Sequence, residues 1–147
     1  MKNIIIIISI LFSFNTHLLK AQEHQAPPSA QGIQFFEGSW NGALALAEKE
    51  GKLIFLDVYA SWCGPCKVLK AKTFPDAEVG KYFNENFINV TIDGEKGEGI
   101  KVAQQLRVSA YPSLYMLNSK GEPIVHYAGY LKPKELIQLG KAGLENK

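Results

Sequence analysis

A near-continuous apolar run leads directly into the chain's only two cysteines in the segment Leu53-Ile54-Phe55-Leu56-Asp57-Val58-Tyr59-Ala60-Ser61-Trp62-Cys63-Gly64-Pro65-Cys66. The first half, with one charged residue, is typical of a strand buried on both faces of a sheet. Cys63 and Cys66, three positions apart, can act as attacker and resolver in thiol–disulfide exchange. The segment therefore predicts a redox-active cysteine pair placed directly after a central strand.

Two other interpretations of the cysteine pair are weaker. A tetrahedral zinc site needs four nitrogen or sulfur ligands, and the three histidines (His17, His24 and His126) are not spaced as a second ligand pair. A purely structural disulfide remains an alternative, but closing so short a loop would restrict the unfolded chain little. We therefore expect neither a metal nor a cofactor and assign the cysteines to redox chemistry.

The composition fits one globular domain. The chain has 147 residues, of which 46% are hydrophobic and 20% charged, which suits a single core. Its formal charge of +2 comes from Lys2 and Lys20, since residues 22–147 carry 14 basic and 14 acidic side chains. A neutral domain lacks the excess of basic residues that is typical of nucleic-acid-binding proteins and of polybasic patches that bind a membrane surface.

Residues 1–21 have the anatomy of a secretory signal peptide. Lys2 precedes an apolar run from Ile4 to Phe14, and Ala21 offers a small residue for cleavage. The run is shorter than the about 20 residues that span a bilayer. We expect this segment to be cleaved and the rest of the protein to be exported to the periplasm. The alternative is an uncleaved segment that tethers the protein to the membrane.

The first part of residues 22–37 is polar and contains prolines. This composition predicts that residues 22–37 form a flexible leader. Residues 38–147 are then the folded domain. Export would affect the redox state of the cysteine pair, because outside the cytoplasm disulfides persist unless they are actively reduced. An exported protein with this pair therefore needs a redox partner.

The folded part alternates helices and strands. The pattern predicts helices at 40–50, from Cys63 to Pro75, from Asp76 through Phe83, at 100–106 and from Pro133 onward, and strands at 53–59, 87–92, 113–117 and 123–127. Helical crossovers make the early strands parallel, whereas the turn at 118–121 makes the last two an antiparallel hairpin at the edge. The order predicts a single-domain α/β fold.

Three separated motifs in the predicted domain resemble the thioredoxin family. They are Trp62-Cys63-Gly64-Pro65-Cys66-Lys67, the acid Asp57 six residues before the first cysteine, and Tyr111-Pro112-Ser113 where the family carries a cis-proline. Segments 56–63 and 72–76 are similar to exported thioredoxin-like domains such as the C-terminal domain of the thiol–disulfide interchange protein DsbD. The resemblance implies the thioredoxin fold, a central mixed β-sheet flanked by helices.

Cys63, Cys66 and Asp57 are the expected catalytic residues. Cys63 starts a helix, where unpaired N–H groups and the helix dipole favour the thiolate, so it is the predicted nucleophile. Cys66 lies one turn further on, and we expect it to be the more buried, resolving thiol. Asp57 is expected to have a raised pKa and to accept the Cys66 proton directly or through water. An acid that only caps nearby backbone is the alternative.

The residues around the pair are expected to shape the site and bind substrate. Gly64 and Pro65 set the turn between the sulfurs. Trp62 would contact partners at the rim, with an ordinary surface-to-core aromatic as the alternative. The resemblance implies a cis bond before Pro112, which would turn the backbone of Tyr111 toward the disulfide for strand-like pairing with a substrate peptide.

One position departs from the family pattern. Cytoplasmic thioredoxins carry a lysine on the strand next to the buried acid, and alignment places Asn89 there. The charge environment of Asp57, and with it the reduction potential, cannot be transferred from the family.

The leading interpretation is an exported thiol–disulfide oxidoreductase that reduces protein disulfides. Its expected partners are disulfide-containing exported proteins and a membrane electron donor of the thiol–disulfide interchange type, and we expect a monomer. The alternatives are a disulfide oxidase or isomerase, and a non-catalytic thioredoxin-fold module that binds a partner through Trp62 and Tyr111.

Overall fold

Helices and strands alternate along residues 32–147, the part of the chain described by its computed structural model. The helices are α1 (Trp40–Glu50), α2 (Gly64–Val68), α3 (Ala77–Asn86), α4 (Gly99–Gln105) and α5 (Pro133–Glu145), and a π-helical segment, Leu69–Thr73, continues α2. The strands are β1 (Leu53–Tyr59), β2 (Phe87–Asp93), β3 (Ser113–Leu117) and β4 (Pro123–Ala128). The predicted elements are confirmed, and the π-helical segment is the feature that the pattern did not indicate.

The four strands form one mixed sheet in the order β2-β1-β3-β4. β1 is parallel to β2, which places Asp57 opposite Thr91. β1 is antiparallel to β3, and β3 is antiparallel to β4. A mixed sheet flanked by helices, with an antiparallel hairpin at one edge, confirms the fold class expected from the resemblance.

Both faces of β1 are covered, which explains its almost unbroken apolar sequence. Ile54, Leu56 and Val58 lie in a buried cluster with α1 and α4. Leu53 and Phe55 lie in a second cluster on the opposite face with α3 and α5. Asp57 follows Phe55 on this second face because side chains alternate along a strand, so its carboxyl group is carried into the interior.

The capping residues explain where two of the helices begin and end. Ser39 caps α1, and its hydroxyl accepts a hydrogen bond from the Gly42 N–H at 3.1 Å. Gly51 ends the same helix in the left-handed conformation, with φ 64°. The carboxylate of Asp76 accepts hydrogen bonds from the N–H groups of Glu78 and Val79 and so restarts the helix after Pro75.

Residues 32–37 are attached to the domain. The backbone N–H of Ile33 donates to the Phe74 carbonyl at 2.7 Å, and that of Phe36 donates to the Asn89 carbonyl, also at 2.7 Å. A Cβ atom at Gly80 on α3 would collide with the backbone of Gly32, and one at Gly32 would collide with the backbone of Phe74 and Pro75. The expectation of a flexible leader is therefore wrong for residues 32–37, because backbone groups distant in sequence hold them.

Two asparagine amides complete this attachment. The Asn84 Oδ1 accepts from the Gln34 N–H at 2.8 Å, and its Nδ2 donates to the Gly32 carbonyl at 3.1 Å. The Asn89 Nδ2 donates to the Gln34 carbonyl at 3.2 Å and to the Asn84 Oδ1 at 3.1 Å. We call Asn84 and Asn89 the asparagine clamp.

The expected signal peptide, residues 1–21, and the first part of the expected leader, residues 22–31, lie outside the described residues. Among residues 32–147, none of the helices has the length and apolar character needed to cross a bilayer.

Asn84→Ala should destabilise the domain and release residues 32–36. The substitution removes the Asn84 Oδ1 and Nδ2, which bond to the Gln34 N–H and the Gly32 carbonyl, so we expect a loss of about 1–3 kcal/mol in the free energy of unfolding. Urea denaturation measures this loss, and amide hydrogen exchange should show faster exchange at residues 33–36.

Asn86→Ala is the matched control, because the Asn86 amide donates only to the carbonyl of Tyr82 within the same helix. An Asn84→Ala protein no less stable than Asn86→Ala, with unchanged exchange at residues 33–36, would contradict the clamp.

Candidate active site

Cys63 and Cys66 are joined in a disulfide at the start of α2, with their Cα atoms 5.4 Å apart. Cys63 is the N-cap residue, and its sulfur accepts a hydrogen bond from the Cys66 N–H at 3.1 Å. Gly64 and Pro65 form the first turn of the helix between the two cysteines, with proline at its start, where no N–H is required. The local sequence thus aims backbone N–H groups at the sulfur of Cys63.

Both sulfur-bearing residues are buried in the disulfide form. Cys63 is 2% exposed and Cys66 is 7% exposed, so the expectation that Cys66 is the more buried of the two is wrong for this state. Ala60 packs in the same cluster as both cysteines, and Tyr59 and Tyr111 lie against it. Both cysteines are therefore enclosed by apolar and aromatic neighbours in the disulfide form.

The carboxyl group of Asp57 is buried on β1. Its Oδ2 accepts a hydrogen bond from the Thr91 hydroxyl at 2.9 Å, whereas its Oδ1 is buried with no hydrogen-bond partner among the described residues. Burial raises the pKa of Asp57 from 3.8 to about 7, against smaller lowering effects of the Thr91 hydrogen bond and the Lys70 charge. The expected raised pKa is confirmed, and desolvation is its main cause.

A cavity of about 230 Å³ joins Asp57 to Cys66. Thr91, Lys70 and Phe35 also line it. The lining is mainly apolar, and the volume is enough for several water molecules, so Asp57 and Cys66 border a common space through which a proton can pass.

An aromatic rim surrounds the disulfide on the solvent side. The side chain of Trp62 is 66% exposed, and its Nε1 donates to the Glu95 Oε2 at 2.9 Å. Its ring lies edge-on to that of Tyr111, with 5.9 Å between the centroids. The peptide bond between Tyr111 and Pro112 is cis, as the resemblance implies. The structure therefore brings the three expected substrate-binding residues together beside the disulfide.

The departure at Asn89 has a structural explanation. Asn89 is paired with Phe55 in the sheet register, two positions from Thr91, which lies opposite Asp57. The Asn89 amide is used in the asparagine clamp instead of facing the carboxyl group. A positive charge is instead supplied to the wall of the Asp57 cavity by Lys70 of the π-helical segment.

Sequence reasoning missed four residues around the site: Thr91, Lys70, Phe35 and Glu95. The first could have been found from the parallel register, since it lies two positions beyond Asn89 on the same face. Lys70 follows Cys66 by four residues, the spacing that places two side chains on one face of a helix. The contacts of Phe35 and Glu95 depend on the tertiary fold and leave no local pattern.

No group of three histidine, cysteine, aspartate or glutamate side chains within residues 32–147 is placed to hold a metal ion.

The family model described as a thioredoxin-like domain matches residues 40–144. Thioredoxin H-type of Fagopyrum esculentum is 35% identical over 101 residues, which are 68% of this chain and 80% of that protein. A candidate disulphide-isomerase from Bacteroides thetaiotaomicron, known from a solution structure, is 42% identical with a TM-score of 0.69, covering 82% of this chain and 99% of that one.

The chain is also similar to one domain of DsbD. The thiol:disulfide interchange protein DsbD of Citrobacter koseri is 28% identical over 90 residues, which are 59% of this chain and 16% of that much longer protein. The reduced C-terminal domain of DsbD from Neisseria meningitidis is 26% identical with a TM-score of 0.57, covering 72% of this chain and 92% of that domain.

Asp57→Asn should stabilise the oxidised protein at neutral and higher pH. Well below pH 3.8 the carboxyl group is protonated in the folded and unfolded states alike, whereas between pH 3.8 and the folded pKa of about 7 it ionises mainly in the unfolded chain, which is thereby favoured. The variant should therefore gain on the order of 3–4 kcal/mol over the parent at pH 8, declining toward zero near pH 4. Urea denaturation across this pH range, with the disulfide intact, measures the difference.

Glu85→Gln serves as the control, because it removes an exposed carboxylate of α3, and we expect it to change stability by less than about 0.5 kcal/mol at each pH. If the Asp57→Asn and parent curves run parallel from pH 4 to pH 8, the Asp57 carboxyl group does not carry the raised pKa.

Proposed function

The chain belongs to the thioredoxin family and is a thiol–disulfide oxidoreductase with Cys63 and Cys66 as its redox pair, and we propose that it reduces disulfide bonds in exported proteins. The observation that carries the proposal is the cavity that connects a buried carboxyl group to the second cysteine of the pair. It supplies a proton acceptor for the cysteine that completes each cycle.

The first step uses Cys63. Its thiolate attacks one sulfur of a substrate disulfide, the substrate S–S bond breaks, and one substrate thiolate leaves while a mixed disulfide with Cys63 remains. The position of Cys63 at the helix start, with its sulfur accepting the Cys66 N–H, supports this assignment because such a hydrogen bond stabilises the thiolate.

The second step uses Cys66 and Asp57. The Cys66 thiol gives its proton to the Asp57 carboxylate through the cavity and attacks the Cys63 sulfur, so that the second substrate thiolate leaves. Two electrons have then moved from the cysteine pair to the substrate, and the pair is in the disulfide form seen here. A base with a pKa of about 7 is suited to this transfer near neutral pH.

Substrate binding is assigned to the aromatic rim. The exposed ring of Trp62, the packing of Tyr111 against the cysteine cluster and the cis bond between Tyr111 and Pro112 support this assignment. An extended peptide that pairs with this backbone would bring its own disulfide against Cys63.

The dipeptide between the cysteines and the N-terminal sequence favour reduction and export. The Gly64-Pro65 dipeptide is the one found in thioredoxin, whose potential of about −270 mV is strongly reducing. The signal-peptide pattern of residues 1–21 and the similarity to a DsbD domain favour export, with a membrane electron donor of the thiol–disulfide interchange type restoring the dithiol. An isomerase is the second candidate, because the candidate disulphide-isomerase is 42% identical.

The reduction potential of the protein distinguishes these directions. Equilibration with glutathione buffers of known ratio, followed by alkylation and mass measurement of the Cys63–Cys66 pair, should give a potential below about −240 mV for a reductase. A potential near about −120 mV would assign the protein to disulfide formation instead.

Cys66→Ser should trap substrates. Without the resolving thiol, Cys63 stays joined to the substrate as a mixed disulfide, so exported proteins should co-purify with the variant and be released by dithiothreitol. Non-reducing electrophoresis and mass spectrometry of the complexes measure the trapping.

The double substitution Cys63→Ser, Cys66→Ser is the control and should trap nothing. Equal recovery of the same proteins with this control would favour the non-catalytic binding module over the oxidoreductase cycle.

A further inference from the structure

Lys70 lies on the wall of the Asp57 cavity. It belongs to the π-helical segment and follows Cys66 by four residues, so both side chains line the same space. Lys67 of α2 is the other lysine among the described residues that line this cavity. The lysine in the π-helical segment is thus placed to act on the chemistry of the carboxyl group without touching the sulfur atoms.

The ammonium group of Lys70 is held by an aromatic ring. Its Nζ lies 5.7 Å from the centre of the Tyr59 ring, within the range in which a cation is attracted to the ring face. Tyr59 is itself part of the cavity wall. No ion pair to Lys70 occurs within residues 32–147, so a carboxylate of this part of the chain does not neutralise its charge.

Asp57 is the group that this charge can affect. One of its oxygens accepts from the Thr91 hydroxyl and the other has no partner within residues 32–147, so hydrogen bonds from this part of the chain compensate its ionised form poorly. Of the groups packed around it, Thr91 on β2 and Phe35 in the N-terminal segment are uncharged, and the charged side chains come from α2 and the π-helical segment. The Lys70 charge lowers the pKa of Asp57, opposing the effect of burial.

We propose that Lys70, held at the cavity wall by the Tyr59 ring, is a positioning residue of the active site that acts on Asp57 across the shared cavity and so adjusts the pH dependence of the step in which Cys66 completes the exchange. The inference rests on the proposed role of Asp57 as the proton acceptor. It extends that role by naming the side chain that adjusts it. Lys70 acts through Asp57 and not on the sulfur atoms directly.

The first test needs no activity. In the oxidised protein, the side-chain carbon of Asp57 can be followed by ¹³C NMR as a function of pH. Lys70→Met should raise the midpoint of this titration by about half a unit to one unit, and Lys70→Glu should raise it further. Lys70→Arg, which keeps the charge, should leave the midpoint close to that of the parent.

Lys72→Met is the matched control. Lys72 lies in the same π-helical segment and is exposed, but it is not part of the cavity wall. An Asp57 midpoint that does not move in Lys70→Met and Lys70→Glu, or that moves equally in Lys72→Met, overturns the inference.

The second test follows the exchange itself. The reduced protein is mixed with an activated aryl disulfide, at concentrations where the attack by Cys63 no longer limits the rate. Attack by Cys63 releases one aryl thiolate and leaves a mixed disulfide, and attack by Cys66 on that mixed disulfide releases the second. The rate of this second burst of aryl thiolate therefore reports the attack by Cys66. Its pH midpoint should rise in Lys70→Met by the same amount as the Asp57 titration, and Lys70→Arg should restore the parent profile.

The two tests separate the failure of the inference from the failure of the proposed function. A shift in the NMR titration without a shift in the second burst overturns the role of Lys70 in resolution. A second burst that is independent of pH in the parent and in Asp57→Asn removes Asp57 from the proposed mechanism. A parent potential near that of an oxidase changes the direction of the cycle but leaves the expected Lys70 shifts in place, since both tests examine steps within the protein.

Discussion

The burial of a carboxyl group in the central strand governs the chemistry of this protein. Asp57 is 4% exposed, and the described part of the chain offers one hydrogen-bond donor to its two oxygens. An ionised carboxylate in such surroundings is costly because little replaces the water it has lost. The molecule tolerates the group because it can be neutral at moderate pH, and that same property makes it a proton acceptor near pH 7.

The fold positions this carboxyl group beside the cysteine pair. Alternation along β1 sends Asp57 to the face covered by α3 and α5, and the strand then ends next to the helix that begins at Cys63. The acid and the sulfur atoms therefore come from one short stretch of sequence, held at fixed positions by the core. The cost of burying the carboxyl group is offset by apolar burial elsewhere in the same sheet, in line with the general balance between stability and function.

Much of the fold could be predicted because its signals are local. The apolar run of β1, the caps at Ser39 and Asp76, and the turn at 118–121 each determine structure within a few residues. The cysteine pair and the Tyr111-Pro112 motif were also visible, since each is a contiguous stretch. The attachment of residues 32–37 could not be predicted, because it depends on amides more than 45 residues away in the chain. The relative burial of the two cysteines was predicted wrongly, and their surroundings include Tyr111, which is also distant in sequence.

The attached N-terminal segment makes the active site sensitive to any proteolytic cut near Phe35. Phe35 forms part of the cavity wall and packs edge-on against Phe74, with 5.3 Å between the ring centroids. A proteolytic cut on the carboxyl side of Phe35 would remove this ring and admit bulk solvent to Asp57, whose proton affinity would fall as its desolvation is relieved. A chain cut before Phe35 and a chain cut after it would thus carry the same cysteine pair but be active over different pH ranges.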